Sequence, residues 1–177
     1  LIIPESATSI QSFTFRCKSQ LTHIYLPKTI ETIKKDSFSE CSSLHQIVLP
    51  SSVYSIGKNT FYHCTSLIRI DIPPSVTSIK ANTFAECSNL CEINLPSSIK
   101  FIGDKSFYAC SSLVEIKIPS SVVSIGENAF KGCISLRKLL IPSSVKVIGS
   151  LAFDDCSSLK EITIDPYLTN INEKAFN

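Results

Sequence analysis

Cysteines are the residues of this sequence best suited to chemistry, because thiolates bind metals and paired thiols form disulfides. Six of the eight recur every 23 positions, three residues after a phenylalanine: Cys41, Cys64, Cys87, Cys110, Cys133 and Cys156. Stacked coils would hold these side chains parallel and pointing inward, not towards one another. A tetrahedral zinc site needs four ligands that converge on one point, which a straight ladder does not supply. We therefore expect six reduced thiols in a hydrophobic core.

The other candidates for chemistry are fewer. Cys17 and Cys91 lie outside the column, and we expect Cys91, which follows Leu90 at a strand edge, to be partly exposed. His23 and His45 fall on adjacent predicted strands, where they form either a metal-binding pair or, by default, two exposed surface histidines. No G-x-S-x-G, P-loop or H-E-x-x-H motif occurs, and the carboxylates are scattered. We predict no catalytic, cofactor or metal site, and hence no enzyme.

The elements that position these residues repeat with a strict period of 23 and no insertion or deletion. Internal repeats of this length are typical of solenoids, in which each unit buries its apolar face against its neighbours. Eight of the ten phenylalanines keep the step: Phe15, Phe38, Phe61, Phe84, Phe107, Phe130, Phe153 and Phe176.

The first half of a repeat predicts a strand. Leu113, Ile116 and Ile118 alternate as in a short buried strand, and Pro119 ends it because proline donates no ladder hydrogen bond. Stacking this strand on its equivalents gives a parallel ladder on one side of the coil.

The second half of the repeat returns the chain to the next strand. A second extended piece is expected over 122–125, and Gly126 is expected to allow a turn with positive φ. The residues that follow are spaced as in one or two turns of α- or 3₁₀-helix: Ala129, Phe130 and Cys133. We therefore place short helical or irregular segments opposite the strands.

Composition excludes several classes of function. The 177 residues include 17 Lys+Arg and 15 Asp+Glu, a net charge of +2 that is too balanced for a nucleic-acid surface or a polybasic membrane anchor. No apolar run approaches the ~18 residues that a spanning helix needs. We expect no nucleic-acid partner and no membrane insertion within this segment.

The repeat resembles a known family. Its period falls within the 20–29 residues of leucine-rich repeats, and L-x-x-I-x-[IL] matches their strand signature. The remainder, I-P-S-S-V-x-S-I-G-x-x-A-F-x-x-C-S-S-L, resembles the BspA-like subfamily over the whole chain. The resemblance implies a right-handed superhelix. It also implies large surface or secreted proteins of host-associated bacteria or mucosal protozoan parasites, implicated in adhesion to host cells and extracellular-matrix proteins.

One position departs from the leucine-rich repeat pattern. Many such repeats carry Asn or Cys after the strand, whereas this sequence carries hydroxyl residues, which we expect to bond loop backbone. They are Ser6, Thr29, Ser52, Ser75, Ser98, Ser121 and Ser144.

We therefore predict an α/β-type repeat solenoid with a parallel strand ladder on one face and short helical or irregular turns on the other. Residues 1–177 are expected to form a single array of about 7.7 repeats, part of a longer array without capping units. Open edges of such an array favour end-to-end self-association.

The strand face, meaning the side chains that flank the central isoleucine of each strand, is the candidate binding surface. Its two columns vary from repeat to repeat, whereas the core columns are nearly invariant. The alternative is a solvated face without a binding role, whose sequence varies freely. In that case opposite charges such as Arg69–Glu92 and Lys138–Glu161 modestly support the sheet. The candidate residues are His23, Tyr25, Gln46, Val48, Arg69, Asp71, Glu92, Asn94, Glu115, Lys117, Lys138 and Leu140.

Three functions remain open, of which the most distant is a leucine-rich appendage of an enzyme whose chemistry lies on another module. The first is a non-catalytic module of a cell-surface or secreted adhesin that binds a host or matrix protein. The second is a cytoplasmic leucine-rich repeat scaffold, with which six buried thiols are equally compatible.

Overall fold

Short strands repeat along the whole described chain. The structure, a computed structural model, describes residues 3–166, 168, 170–172 and 174–177. In chain order its strands are β1 (Ser9–Ile10), β2 (His23–Ile24), β3 (Thr32–Ile33), β4 (Gln46–Ile47), β5 (Ser55–Ile56), β6 (Arg69–Asp71), β7 (Ser78–Ile79), β8 (Glu92–Asn94), β9 (Phe101–Ile102), β10 (Ser124–Ile125), β11 (Lys138–Ile141), β12 (Val147–Ile148), β13 (Glu161–Ile164) and β14 (Asn170–Ile171).

These strands form two parallel ladders. The first ladder, which carries the strand face, joins β2, β4, β6 and β8, and then β11 with β13. Between these two groups the chain makes one bridge, from Glu115 to Lys138. The second ladder joins β1, β3 and β5, and then β7, β9, β10, β12 and β14. The second extended piece of the repeat is thus a ladder in its own right.

The register of both ladders equals the sequence period. Ile24 pairs with Ile47 in the first ladder, and Ile10 pairs with Ile33 in the second. Side chains of one column therefore stack directly above one another, and a single core runs through the coils between the two ladders.

The phenylalanine column is the centre of this core. Phe38, Phe61, Phe84, Phe107 and Phe130 are completely buried. Consecutive rings lie nearly parallel, with centroids between 5.0 Å and 5.6 Å apart, within the range that favours offset stacking. The phenylalanine column from Phe38 to Phe130 is therefore interior.

The segment around each phenylalanine contains no helix in the described residues, so of the two predicted forms, helical and irregular, the turns at Ala129, Phe130 and Cys133 take the irregular one. Left-handed residues stand two positions before and two positions after the phenylalanine, as at Asn128 (φ 53°) and Gly132 (φ 77°). Such residues interrupt a right-handed helix after each turn.

Hydrogen bonds between coils hold this segment instead. The N–H of Phe130 donates to the carbonyl of Ala152 at 2.7 Å, and that of Gly132 donates to Asp154 at 2.8 Å. A turn bond from Cys133 N–H to Phe130 completes the pattern. The result is a chain of turns in which alternate amides face the following coil.

Gly126 has a different role from the one predicted. Of the five glycines only Gly132 has a positive φ, so the expected left-handed turn at Gly126 is wrong. A Cβ at position 126 would lie 2.6 Å from the backbone nitrogen of Asp104 and 2.7 Å from the carbonyl carbon of Gly103. Glycine is required there because the backbones of two coils approach closely.

The hydroxyl column bonds loop backbone as predicted in four coils. Ser52, Ser98 and Ser121 donate to carbonyls of the preceding coil at 2.6–2.7 Å, and Thr29 donates to Glu5 and Ala7. Ser144 Oγ is buried and has no partner. These bonds tie the loops of those four coils to the preceding coil.

Within residues 3–166 and the described positions beyond them, the chain forms no helix of the length and apolar character that a bilayer requires.

Candidate functional site

The column cysteines are structural. All eight cysteines are free, and the six of the column are buried. Each of these six thiols donates to the carbonyl of a phenylalanine 26 residues earlier, at 3.0–3.3 Å. Burial raises the pKa of Cys41 to about 11 and that of Cys87 to about 12, so these thiols stay protonated at neutral pH. The placement of this column in the core is confirmed.

The cysteines outside that column and the pair His23 and His45 lie at the surface. Cys17 and Cys91 are exposed, as predicted for Cys91. The rings of His23 and His45 stack with centroids 6.3 Å apart, and His45 Nδ1 lies 2.7 Å from the carbonyl of Ser43, to which it donates. No group of three potential ligands occurs among the described residues.

The twelve predicted strand-face residues are all exposed, on both sides of the buried central residue of each coil. This placement follows from strand geometry, since successive side chains of a strand point to opposite faces. The first ladder therefore presents two parallel columns of side chains on one rigid surface.

Polar side chains in the middle of the strand face contact one another. Arg69 lies 3.5 Å from Asp71 and 3.6 Å from Glu92, and the amide of Asn94 donates to Asp71 at 3.1 Å. Lys138 pairs with Glu161 at 3.1 Å, so both predicted ion pairs are present. Exposed pairs of this kind contribute little to stability, about 0–1 kcal/mol each. They leave the middle of the face nearly neutral.

Apolar side chains stand at both ends of this polar stretch. Tyr25 and Val48 are 66% and 70% exposed, and Leu140 is 55% exposed. A cavity of about 400 Å³ lies between Tyr25 and Val48, with Lys28 and Pro50 at its border. An aliphatic or aromatic side chain of a partner fits such a depression.

Sequence reasoning missed a second concave surface, which we call the turn groove. Its volume is about 630 Å³, and it runs along the left-handed segments beside the phenylalanine column. The signal was present in the repeat phase, because polar side chains recur two positions before and one or two positions after the phenylalanine. Its lining includes Asp36, Glu40, Asn59, Tyr62, Glu86, Lys105, Tyr108 and Asn128.

Hydrogen bonds fix much of the turn groove. Arg16 pairs with Glu40 at 3.1 Å and holds the pKa of that carboxyl below its usual value. Glu86 accepts from the Tyr62 hydroxyl and from His63 Nδ1, both at 3.0 Å, and its bond raises the pKa of Tyr62. These groups satisfy one another, as in a structural network.

Comparisons with solved structures agree with this architecture. A leucine-rich repeat protein of Treponema pallidum is 34% identical, with a TM-score of 0.77 over 80% of this chain and 68% of that protein. A leucine-rich cell surface protein of Faecalibacterium prausnitzii is 28% identical, with a TM-score of 0.63 over 98% of this chain and 55% of its own. A leucine-rich repeat protein of Eubacterium ventriosum, 24% identical, shares the fold with a TM-score of 0.82 over 97% of this chain and 46% of its own.

A parallel-strand solenoid with this repeat defines a leucine-rich repeat protein, a class that generally serves as a protein-interaction module and not as a catalyst. The profile described as BspA type leucine rich repeat region matches in six copies, over residues 1–114 and 77–177. The chain belongs to this BspA-type family. It spans about half the length of the Faecalibacterium and Eubacterium proteins. A comparison with curated protein sequences gave no match.

Proposed function

We propose that this chain is a non-catalytic protein-binding module of a cell-surface adhesin, and that it binds a host or extracellular-matrix protein through the strand face. The observation that carries the proposal is the contrast between the buried columns, which barely change, and the two exposed columns, which vary along the array. A rigid scaffold with one varied face suits an extended protein interface.

The chemistry of the face supports a protein ligand. Interfaces draw most of their affinity from a few aromatic or aliphatic anchors, while charges set orientation and association rate. Tyr25 and Val48 at one end and Leu140 at the other offer such anchors, and the ion-paired middle offers complementary charges. A surface location is supported by the Faecalibacterium relative, which is described as a cell surface protein.

The test uses a panel of purified extracellular-matrix and host cell-surface proteins in biolayer interferometry. For a ligand that binds, we expect Tyr25→Ala or Leu140→Ala to weaken affinity by more than ~1 kcal/mol when its end of the face is used. Charge reversal at Glu92 and Glu115 should mainly change the association rate and its salt dependence. Tyr54→Ala, at an exposed tyrosine beside β5 on the second ladder, is the matched control.

The proposal fails if a bound ligand is insensitive to every strand-face variant but sensitive to changes in the turn groove. Circular dichroism of each variant ensures that a lost signal reflects binding and not unfolding.

The cytoplasmic scaffold remains the second candidate, because all eight thiols are free, including the exposed Cys17 and Cys91. Exposed free thiols are common in a reducing compartment. Surface biotinylation of intact cells distinguishes the two, since an adhesin is labelled and a cytoplasmic scaffold is protected.

A further inference from the structure

A patch of four lysines lies where the chain leaves the second ladder. Lys34, Lys35, Lys58 and Lys80 surround a cavity of about 550 Å³. We call these four residues the lysine cluster. It shares no residue with the strand face or with the turn groove.

The lysine cluster has no carboxylate partner among the described residues. Lys34 Nζ donates to the side-chain oxygen of Gln11 at 2.6 Å, and Lys80 Nζ lies 3.4 Å from Ser55 Oγ. These partners are neutral, so the positive charge stays uncompensated. Arg16, Lys131 and Lys138, in contrast, each pair with a carboxylate at 2.6–3.1 Å.

The fold keeps the patch concave. Gly57 lies between the lysines, and a Cβ there would stand 2.6 Å from the carbonyl carbon of Lys34 and 2.7 Å from Lys35 Cα. The position must remain glycine, so no side chain fills the floor of the cavity. Ser12 and Ser55 border it and bring hydroxyl groups to the same depression.

The charges follow the coil spacing. Lys34 and Lys80 occupy the same phase two coils apart, and Lys35 and Lys58 occupy one phase in adjacent coils. In the core beneath, successive coils are separated by 5.6 Å and 5.5 Å between ring centroids. The four ammonium groups are thus distributed along the solenoid over three coils. A single small oxoanion does not reach all of them, whereas a chain with repeated anionic groups does.

We propose that the lysine cluster binds a sulfated polysaccharide. The uncompensated charge selects a polyanion, the concave floor admits a chain, and the serine hydroxyls supply hydrogen bonds to sulfate or sugar oxygens. At the position of the repeat that Lys35 and Lys58 occupy, later coils carry the acidic residues Asp104 and Glu127. The binding footprint therefore ends after three coils.

Nucleic acid fits this patch less well. Recognition of single strands relies on aromatic rings on which bases stack. Phe13, an aromatic residue beside the cluster, already has Lys35 Nζ at 5.2 Å and the Arg16 guanidinium at 5.9 Å from its ring centroid. The cavity is lined by aliphatic, hydroxyl and ammonium groups without an aromatic ring.

The experiment measures binding to immobilised heparin by surface plasmon resonance in 50 mM and 150 mM salt, conditions that sample electrostatic screening on the order of the ~10 Å Debye length. We expect the wild type to bind, and the double variant K35Q/K58Q to bind at least tenfold more weakly, at about fivefold per lysine. The slope of log affinity against log salt should also fall by about one for each lysine removed. The control variant K146Q/K160Q removes the same charge from exposed positions outside the cluster and should change affinity less than twofold.

Four results would overturn the proposal. They are no heparin binding by the wild type, equal weakening by the control variant, equal binding of chemically desulfated heparin, and equally tight binding of DNA of matched charge. The last result would make the cluster a general polyanion site. The Tyr25→Ala variant should keep full heparin affinity, so the outcome is independent of the strand-face proposal. All substituted lysines are exposed, and circular dichroism verifies that the variants fold.

Discussion

Replacing Phe107 by alanine measures how much the phenylalanine stack contributes to stability. Phe107 is 0% exposed, and its ring lies 5.5 Å from Phe84 and 5.0 Å from Phe130 by centroid distance. Truncation of a fully buried phenylalanine costs about 3–5 kcal/mol, which includes two aromatic pairs of ~0.5–1.5 kcal/mol each. We expect about 4 kcal/mol, a large part of the ~5–15 kcal/mol that stabilises a typical domain.

The assay is equilibrium unfolding in guanidinium chloride, followed by far-ultraviolet circular dichroism. The matched control is Phe101→Ala, because Phe101 is the same residue type, six positions earlier, but is 52% exposed on β9. Its replacement should cost less than about 1 kcal/mol. Phe107→Leu gives a milder probe if the alanine variant does not fold. Equal losses at positions 101 and 107 would refute the argument that stacked burial holds the coils together. Phe176 stacks on Phe153 alone among the described rings, so Phe176→Ala should lower stability less than Phe107→Ala does.

Three further outcomes follow from the same packing. Native thiol labelling should modify Cys17 and Cys91 first and leave the six column thiols protected; rapid labelling of Cys110 without unfolding would contradict the register. Because burial raises the pKa of Cys87 and Cys156 to about 12, the unfolded chain releases thiol protons first, and stability should fall as pH rises from about 9 towards 12. Cys110→Ala should flatten that slope by up to about 1.4 kcal/mol per pH unit, and an unchanged slope would show that this thiol does not contribute. Gly126→Ala should lower stability by about 2 kcal/mol or more, because the new Cβ collides with backbone of the neighbouring coil. Gly132→Ala should lower stability by only ~1 kcal/mol, the strain of a left-handed alanine. If chemical denaturation shows the larger loss at position 132, the roles given to these two glycines are wrong.

The strands and the core could be predicted from sequence because they depend on properties that a period preserves. A residue and its equivalent 23 positions later stack at one place, so Ile24 pairs with Ile47 and Phe38 lies over Phe61. Because every coil has the same length, an apolar residue that recurs at one position of the repeat stacks into a continuous column. Such an apolar column is expected in the interior. The exposure of the strand face follows from the same alternation.

The turn segments could not be predicted because their conformation depends on the neighbouring coil. Phe130 and Cys133 stand three residues apart, and their turn bond is the one that a helix would begin with. Left-handed residues then end each turn, and several are residues that seldom adopt this conformation, such as Lys105 and Leu151. Bonds to the next coil, such as Lys105 N–H to Glu127 at 2.8 Å, offset the local strain. The residue spacing within one repeat contains no information about these bonds between coils.

The lysine cluster was missed because the net charge averages over the whole chain. A net charge of +2 describes the whole chain, but Lys34 and Lys80 are 46 positions apart in sequence and only two coils apart in space. Charges must be compared along a column, not along the chain, before a solenoid can be said to lack a basic surface. The turn groove was missed because its polar side chains, too, come together only when equivalent positions of successive coils are compared.

The two surfaces differ in how their charges are balanced, and this difference bears on what each binds. On the strand face Arg69 has Asp71 and Glu92 within 3.6 Å, so a partner meets a neutral surface on which affinity must come from its apolar anchors. In the lysine cluster the ammonium groups have neutral partners only, so affinity must come from the ligand's own negative charge. Because each coil contributes one residue to every exposed column and leaves the stacked core unchanged, either surface can be altered one coil at a time without loss of the fold. The surfaces share no residue, so we expect variants at one surface to leave binding at the other unchanged.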